Sequence, residues 1–130
     1  ERAPIMQVGI RSMDISEKEY FNPDRCVFAH EMDPGNRWMD RILEGLSRYV
    51  YITIDLDGLD PSVMPSTGTP EPGGLSWHTL QFILRRVIER SRIVGFDIVE
   101  LCPDNRFKAP DFLAVKLYYR ILAEIFSKGE

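Results

Sequence analysis

The stretch Tyr51–Leu75, YITIDLDGLDPSVMPSTGTPEPGGL, is the part of the sequence around which the rest of the chain is organised. It opens with apolar, β-branched and aromatic residues from position 50 to position 54, which is the usage of a buried β-strand. Three aspartates follow this run, Asp55, Asp57 and Asp60. The pattern therefore predicts a strand that ends in a group of carboxylates.

Asp55 and Asp57 are the candidate metal ligands. They are two residues apart, so an extended backbone would point both side chains to the same side. Two carboxylates held side by side repel each other, and one would take up a proton unless a cation lies between them. The spacing therefore favours a divalent metal ion at the C-terminal end of the strand. For the bare motif alone, the alternative is a pair of solvated turn aspartates.

A loop of unusual composition follows these carboxylates. Residues 57–74 contain four of the nine prolines and four of the nine glycines of the chain. A long loop stiffened in this way inside a compact domain is usually a functional loop. We therefore expect a rigid binding loop, in which Asp60, directly before Pro61, is most simply a turn-forming residue.

The full string resembles the signature of the ureohydrolase family, which comprises arginases, agmatinases and their relatives. Its members carry D-x-D-x-x-D-P followed by T-G-T-P-x-x-G-G-L, and the matching residues here are Asp55, Asp57, Asp60, Pro61, Thr67, Gly68, Thr69, Pro70, Gly73, Gly74 and Leu75. The resemblance implies that Asp55 and Asp57 ligate a pair of Mn²⁺ ions. It also implies that Glu100, in the string GFDIVE, faces the guanidinium group of the substrate, and that Thr69 lies near that group.

The resemblance further implies hydrolysis of a guanidinium substrate to urea and an amine by a metal-bridged hydroxide. The loop string TPEPGG looks more like agmatinases than arginases, which implies agmatine or a similar substrate in polyamine biosynthesis. The resemblance also implies a homo-oligomer, a trimer or a hexamer. It runs over essentially the whole chain but covers only the C-terminal half of the family's domain, so we interpret residues 1–130 as that half.

Two histidines and two aspartates that complete the family's metal site belong to upstream segments that this sequence does not contain. His30 and His78 match no family ligand, and we interpret both as surface or helix-end residues. We therefore expect that the chain cannot close a dinuclear site by itself.

The order of apolar segments predicts an α/β fold with a parallel sheet and helices on both faces, a three-layer arrangement. We expect strands at residues 4–10, 26–29, 50–54 and 93–101, a short helix capped by Ser16, and longer helices at residues 37–49, 77–90 and 110–127. Ligands of such sheets bind beyond the C-terminal ends of the strands. Three strands place polar residues there: Arg11 with Ser12, Asp55 with Asp57, and Glu100.

Composition narrows the class of protein further. The net charge is −4 without a block of basic residues, which argues against a nucleic-acid partner and is compatible with a cationic substrate. No apolar run approaches the length of a membrane span. Cys26 and Cys102 are far apart and outside any metal-ligand spacing, so we interpret both as reduced, buried thiols of a soluble cytoplasmic protein.

Two other functions remain open from the sequence. The D-x-D-G string at residues 55–58 also fits a phosphatase of the haloacid dehalogenase type, although Leu59 stands where those enzymes have threonine and the T-G-T-P loop has no role in them. Alternatively, the absence of the other metal ligands favours a non-catalytic remnant that serves in assembly.

Overall fold

The computed structural model describes residues 3–32, 34–35 and 37–127. In these ranges, parallel strands and α-helices alternate as the sequence predicts. The elements are β1 (Gln7–Ile10), β2 (Cys26–Phe28), α1 (Arg37–Gly45), β3 (Tyr49–Asp55), α2 (Trp77–Arg90), β4 (Arg92–Val99) and α3 (Ala109–Ser127), with short 3₁₀ turns at Ile15–Glu19, Pro23–Arg25, Ala29–Glu31 and Leu56–Gly58. Helix α1 is therefore four residues shorter at its C-terminal end than the expected range of 37–49.

The strands form two separate pairs. β1 pairs with β2 in parallel, and β3 pairs with β4 in parallel over seven residues of β3, from Tyr49 opposite Arg92 to Asp55 opposite Val99. Among the described residues, no strand pairing joins β1 to β3. The prediction of parallel strands in an α/β fold is thus confirmed, while the expected single sheet is interrupted between β1 and β3.

A cleft of about 890 Å³ separates β1 from β3. The two strands run in the same direction, because both their beginnings and their ends lie close together. Near their beginnings, Met6 lies against Gly45, where an added Cβ would be 3.0 Å from the Met6 sulfur. Beyond their ends, the Arg11 guanidinium donates hydrogen bonds to the backbone carbonyls of Asp57 and Gly58. The C-terminal ends of all four strands consequently define one edge of the fold.

The helices supply most of the core. Helix α2 begins after Ser76, whose hydroxyl accepts a hydrogen bond of 3.0 Å from the Thr79 backbone. Its buried residues recur at helical spacing and are Leu80, Ile83, Leu84, Val87 and Ile88. Helix α3 contributes Leu117 and Ile121, which are almost completely buried, and packs on β4.

Two local predictions are wrong. The 3₁₀ turn at Ile15–Glu19 is capped by the Asp14 carboxylate, not by Ser16. Cys26 is buried as expected, but Cys102 is exposed. Helix α3 also carries exposed apolar side chains in this chain, namely Phe112, Val115, Tyr118, Tyr119 and Phe126. Within the described residues, no helix is long and apolar enough to cross a membrane.

Candidate active site

Asp55 and Asp57 lie at the end of β3 and both line the cleft between β1 and β3. Asp55 is the last residue of the strand, and its Oδ1 accepts a hydrogen bond of 2.9 Å from the backbone N–H of Asp57. Asp57 belongs to the 3₁₀ turn that follows the strand. Asp57 is thus not a residue of the strand, as an extended backbone would require. A tight turn capped by Asp55 places it at the cleft.

The Asp57 carboxylate combines a satisfied oxygen with an unsatisfied one. Its Oδ2 accepts a hydrogen bond of 2.6 Å from the Thr69 hydroxyl, whereas its Oδ1 is buried and forms no hydrogen bond of ordinary geometry, although the Thr67 hydroxyl, also buried and unpaired, lies near the carboxylate. Burial raises the pKa of Asp57, but the nearby hydroxyls of Thr67 and Thr69 and the charge of Arg11 outweigh it and leave this pKa below its ordinary value. Asp57 is therefore ionised at neutral pH and has a free acceptor.

A buried carboxylate oxygen without a protein donor fits a cation ligand, because such an atom otherwise costs free energy. Asp55 and Asp57 therefore fit the hard divalent ion that the sequence predicts. They do not complete its coordination: within the described residues, no three His, Cys, Asp or Glu side chains come together as a metal site. Asp55 and Asp57 could therefore supply only part of the ligands of such an ion.

Glu100 follows β4 directly and has an unusual backbone conformation. Its φ is +67°, and it is the only residue other than glycine with positive φ in the described ranges. A residue with a long side chain adopts this left-handed backbone conformation at a cost in free energy. Such backbone strain is concentrated at functional sites. The Glu100 side chain reaches the binding loop, where a Cβ added to Gly68 would be 3.9 Å from its Oε2. The structure thus sets Glu100 beside the residue that precedes Thr69, outside the walls of the cleft itself.

Asp60 closes the binding loop on itself. Its Oδ1 accepts hydrogen bonds from the backbone and the hydroxyl of Ser62, and its Oδ2 accepts a hydrogen bond of 2.9 Å from the Gly73 N–H. These bonds, those from Ser62 first, lower the pKa of Asp60 to about 2. The loop is also tight at its base, because a Cβ on Gly74 would lie 2.5 Å from the carbonyl carbon of Leu59. Asp60 is thus a turn former, as predicted, and also joins the two ends of the loop.

Arg11 and Ser12, the polar residues after β1, donate hydrogen bonds to different parts of the site. Arg11 donates to the carbonyls of Gly9, Asp57 and Gly58, so it fixes the backbone of the Asp57 turn against the end of β1. Ser12 donates to the carboxylate of Glu71 in the binding loop. The sequence indicated that Arg11 and Ser12 lie at the site, but it did not indicate Glu71. The available signal was a charged residue between Pro70 and Pro72.

The two histidines lie away from these carboxylates. His30 is exposed and stacks on Phe28, with ring centroids 5.4 Å apart. His78 is exposed in the first turn of α2. Asp97 accepts a hydrogen bond of 2.9 Å from the Tyr51 hydroxyl across the β3–β4 pair.

The family of the chain follows from comparison with known proteins. A model of the arginase family matches residues 1–123, and the chain belongs to this family. It is 41% identical to an N(1)-aminopropylagmatine ureohydrolase of Thermus thermophilus over 123 residues, which are 93% of this chain and 42% of that protein. It is 30% identical over 114 residues to the agmatinase of Pyrococcus horikoshii, covering 88% of this chain and 40% of that protein.

Solved structures give the same result. The agmatine ureohydrolase of Thermoplasma volcanium matches with a TM-score of 0.73 and 34% identity over 93% of this chain and 42% of that one. The proclavaminate amidino hydrolase of Streptomyces clavuligerus matches with a TM-score of 0.76 and 32% identity over 92% and 41% of the two chains. The chain thus spans less than half the length of these relatives. Membership in the arginase family decides against the phosphatase hypothesis.

Proposed function

We propose that this chain forms part of an enzyme that hydrolyses a linear aliphatic guanidine, such as agmatine, to urea and an amine. The observation that carries the proposal is the buried, unpartnered Oδ1 of ionised Asp57, which lies in the same cleft as Asp55 and Thr69. The names of relatives with 30–41% identity support the same substrate class.

In this reaction, water adds to the guanidinium carbon and the bond from that carbon to the alkyl nitrogen breaks. The alkyl nitrogen takes up both protons of the water in the course of the reaction and is released as an ammonium group, and the remaining carbon, oxygen and two nitrogens are urea. Guanidinium is a poor electrophile because its charge is delocalised. The enzyme must therefore hold that charge in place and stabilise the tetrahedral species.

Glu100 is the residue that we assign to the guanidinium charge. A carboxylate at this position would accept two N–H groups of the guanidinium in a bidentate geometry. It would thereby orient the guanidinium carbon toward Asp55 and Asp57. The positive φ of Glu100 supports this role, because a strained backbone conformation sets its side chain beside Gly68 of the binding loop. Thr69, which follows Gly68 and donates its hydroxyl to Asp57 Oδ2, is the loop residue that we place near the guanidinium group.

Asp55 and Asp57 would hold a divalent ion, and the family resemblance implies Mn²⁺. When bound, such an ion supplies Lewis acidity and lowers the pKa of a water molecule toward neutrality. Residues outside this chain have to supply the remaining ligands, so the complete protein is required for activity. We also propose that the complete protein is a cytoplasmic homo-oligomer and that it does not bind nucleic acid.

The second candidate function is that of a non-catalytic remnant that acts in assembly. The observation that favours it is the lack of a third metal-binding side chain among the described residues. The two candidates differ in what the full-length protein does with Mn²⁺ and agmatine.

The test uses the full-length protein, supplied with Mn²⁺, and measures bound metal and urea release from agmatine. We expect tight metal binding and urea release, and the variant Glu100→Gln should retain the metal and lose about 100-fold in kcat/KM. The control is Glu44→Gln, which removes an exposed carboxylate on α1 and should leave kcat/KM unchanged.

Two outcomes would contradict these assignments. A full-length protein that binds no metal and releases no urea would establish the non-catalytic candidate. Glu100→Gln turning over agmatine at the parental rate would show that Glu100 does not contact the guanidinium group.

A further inference from the structure

Glu71 is a carboxylate at the cleft that the metal and guanidinium chemistry does not use. It lines the same cleft as Asp55, Asp57 and Thr69. The Ser12 hydroxyl lies 2.8 and 2.9 Å from its two oxygens and ties the binding loop to the end of β1. Proline on both sides restricts the backbone, so the side chain is held in place before a ligand arrives.

The charge of Glu71 is not neutralised within the part of the chain that the structure describes. None of the ion pairs found there includes Glu71, and its bond to Ser12 comes from a neutral donor. The nearby cation, Arg11, directs its guanidinium to backbone carbonyls. A carboxylate has about four acceptor sites, so Glu71 retains capacity for a cationic ligand besides the Ser12 hydroxyl.

The position of Glu71 along the loop sets its distance from the reacting end of the substrate. Thr69, two residues earlier, contacts Asp57 through its hydroxyl. Two residues of chain span at most about 7 Å. A linear guanidine with a four-carbon chain carries its second nitrogen at a comparable distance from its guanidinium group.

We propose that Glu71, positioned by Ser12, determines specificity by binding the ammonium group at the far end of the substrate. The inference rests on the proposed guanidine hydrolysis and adds to it the residue that selects the charge of the substrate's tail. An ammonium tail gains a charge-assisted hydrogen bond at Glu71. A carboxylate tail meets a like charge there and is rejected.

The experiment uses the full-length protein with Mn²⁺ and three guanidines of similar length: agmatine, butylguanidine and 4-guanidinobutyrate. We expect Glu71→Gln to lower the ratio of kcat/KM for agmatine to kcat/KM for butylguanidine by about tenfold or more, through KM for agmatine. The ratio of 4-guanidinobutyrate to butylguanidine should rise. Ser12→Ala should shift both ratios in the same directions by a smaller factor, and the control Glu44→Gln should shift neither.

A second measurement is independent of turnover and of a change in folding. Titration calorimetry on the metal-free protein, which does not hydrolyse the ligands, compares the binding of agmatine and butylguanidine to the parental protein and to Glu71→Gln, and thermal unfolding shows that each variant is folded. An equal loss for both ligands in Glu71→Gln would overturn the proposal and leave Glu71 a structural residue of the loop. Absence of urea release in the parental protein would instead contradict the proposed reaction, while the calorimetric comparison would still decide the role of Glu71.

Discussion

At the scale of single residues, the carboxylates of the central stretch differ in what surrounds them. Asp57 keeps a buried oxygen free, whereas Asp60 uses both oxygens for hydrogen bonds within its loop. The sequence showed three aspartates after an apolar run and could assign Asp60 to a turn, because an Asp-Pro pair has a local preference. It could not show the bond from the Gly73 N–H to Asp60, because the two residues are 13 positions apart in the sequence.

Asp60→Asn should destabilise the protein at neutral pH. The substitution removes the charge that strengthens the bonds from Ser62 and Gly73. Because the pKa of Asp60 falls from 3.8 to about 2 on folding, its contribution to stability is full above about pH 3.8 and is lost as the pH falls toward 2. Thermal unfolding of the parent and the variant should therefore give different midpoints at pH 7 that converge near pH 2.

The control for this substitution is Asp40→Asn, which alters an exposed aspartate on α1. It should leave the midpoint at pH 7 unchanged. A difference between the parent and Asp60→Asn that persists undiminished at pH 2 would show that the ionised carboxylate is not what secures the loop.

At the scale of elements, local patterns predicted the helices and strands well and their surroundings poorly. Helix α2 was predictable because Ser76 and the apolar repeat lie within one segment. The cap of the first 3₁₀ turn was assigned to Ser16 although Asp14 provides it, because both residue types have the same capping preference. The exposure of Cys102 and of the aromatic face of α3 depends on what packs there, which is a property of the folded protein and its partners.

Gly74→Ala should disrupt the base of the binding loop. The added Cβ would lie 2.5 Å from the carbonyl carbon of Leu59 and 2.6 Å from the backbone nitrogen of Asp60, and neither atom belongs to a flexible side chain. Forced overlap of this kind costs about 1–3 kcal/mol of the free energy of unfolding. Denaturant unfolding measures this cost, and the matched control is Gly58→Ala, whose Cβ would meet no atom within 4 Å.

Both glycine variants replace a glycine of the same stretch by alanine. A difference in their stability therefore reports the overlap at Gly74 and not the general effect of replacing a glycine by alanine. Equal stability of Gly74→Ala and Gly58→Ala would mean that the loop closes with more space between its two ends than the structure shows.

At the scale of the whole molecule, the cleft between β1 and β3 explains why the predicted sheet is interrupted. A strand in a sheet lies about 4.8 Å from its neighbour, rises about 3.3 Å per residue and belongs to a layer about 10 Å thick. Each residue of a strand therefore occupies a volume of about 160 Å³. The cleft of about 890 Å³ therefore has room for one strand of about six residues. The sequence could not reveal this gap, because the number of strands between β1 and β3 is not encoded by the pattern of either strand.

A strand in this cleft would end beside Asp55 and Asp57, because β1 and β3 both end there. Ligands delivered by such a strand, or by the segment after it, would therefore reach the candidate metal site that we propose at Asp55 and Asp57. The geometry agrees with a chain that spans 42% of a relative's length. It also leaves the facing edges of β1 and β3 without a strand partner among the described residues.

The isolated polypeptide of residues 1–130 should consequently show no tight site for two Mn²⁺ ions and no urea release from agmatine. Metal affinity depends on the number of ligands, and two carboxylates leave most coordination positions to water. The unpaired edges of β1 and β3 should also cause self-association, because an open sheet edge pairs with other chains. The measurements are bound metal, urea production and mass in solution after addition of Mn²⁺. A monomer that binds two Mn²⁺ ions tightly and releases urea would contradict this prediction, since the missing ligands would then have to come from residues that the structure assigns to other roles.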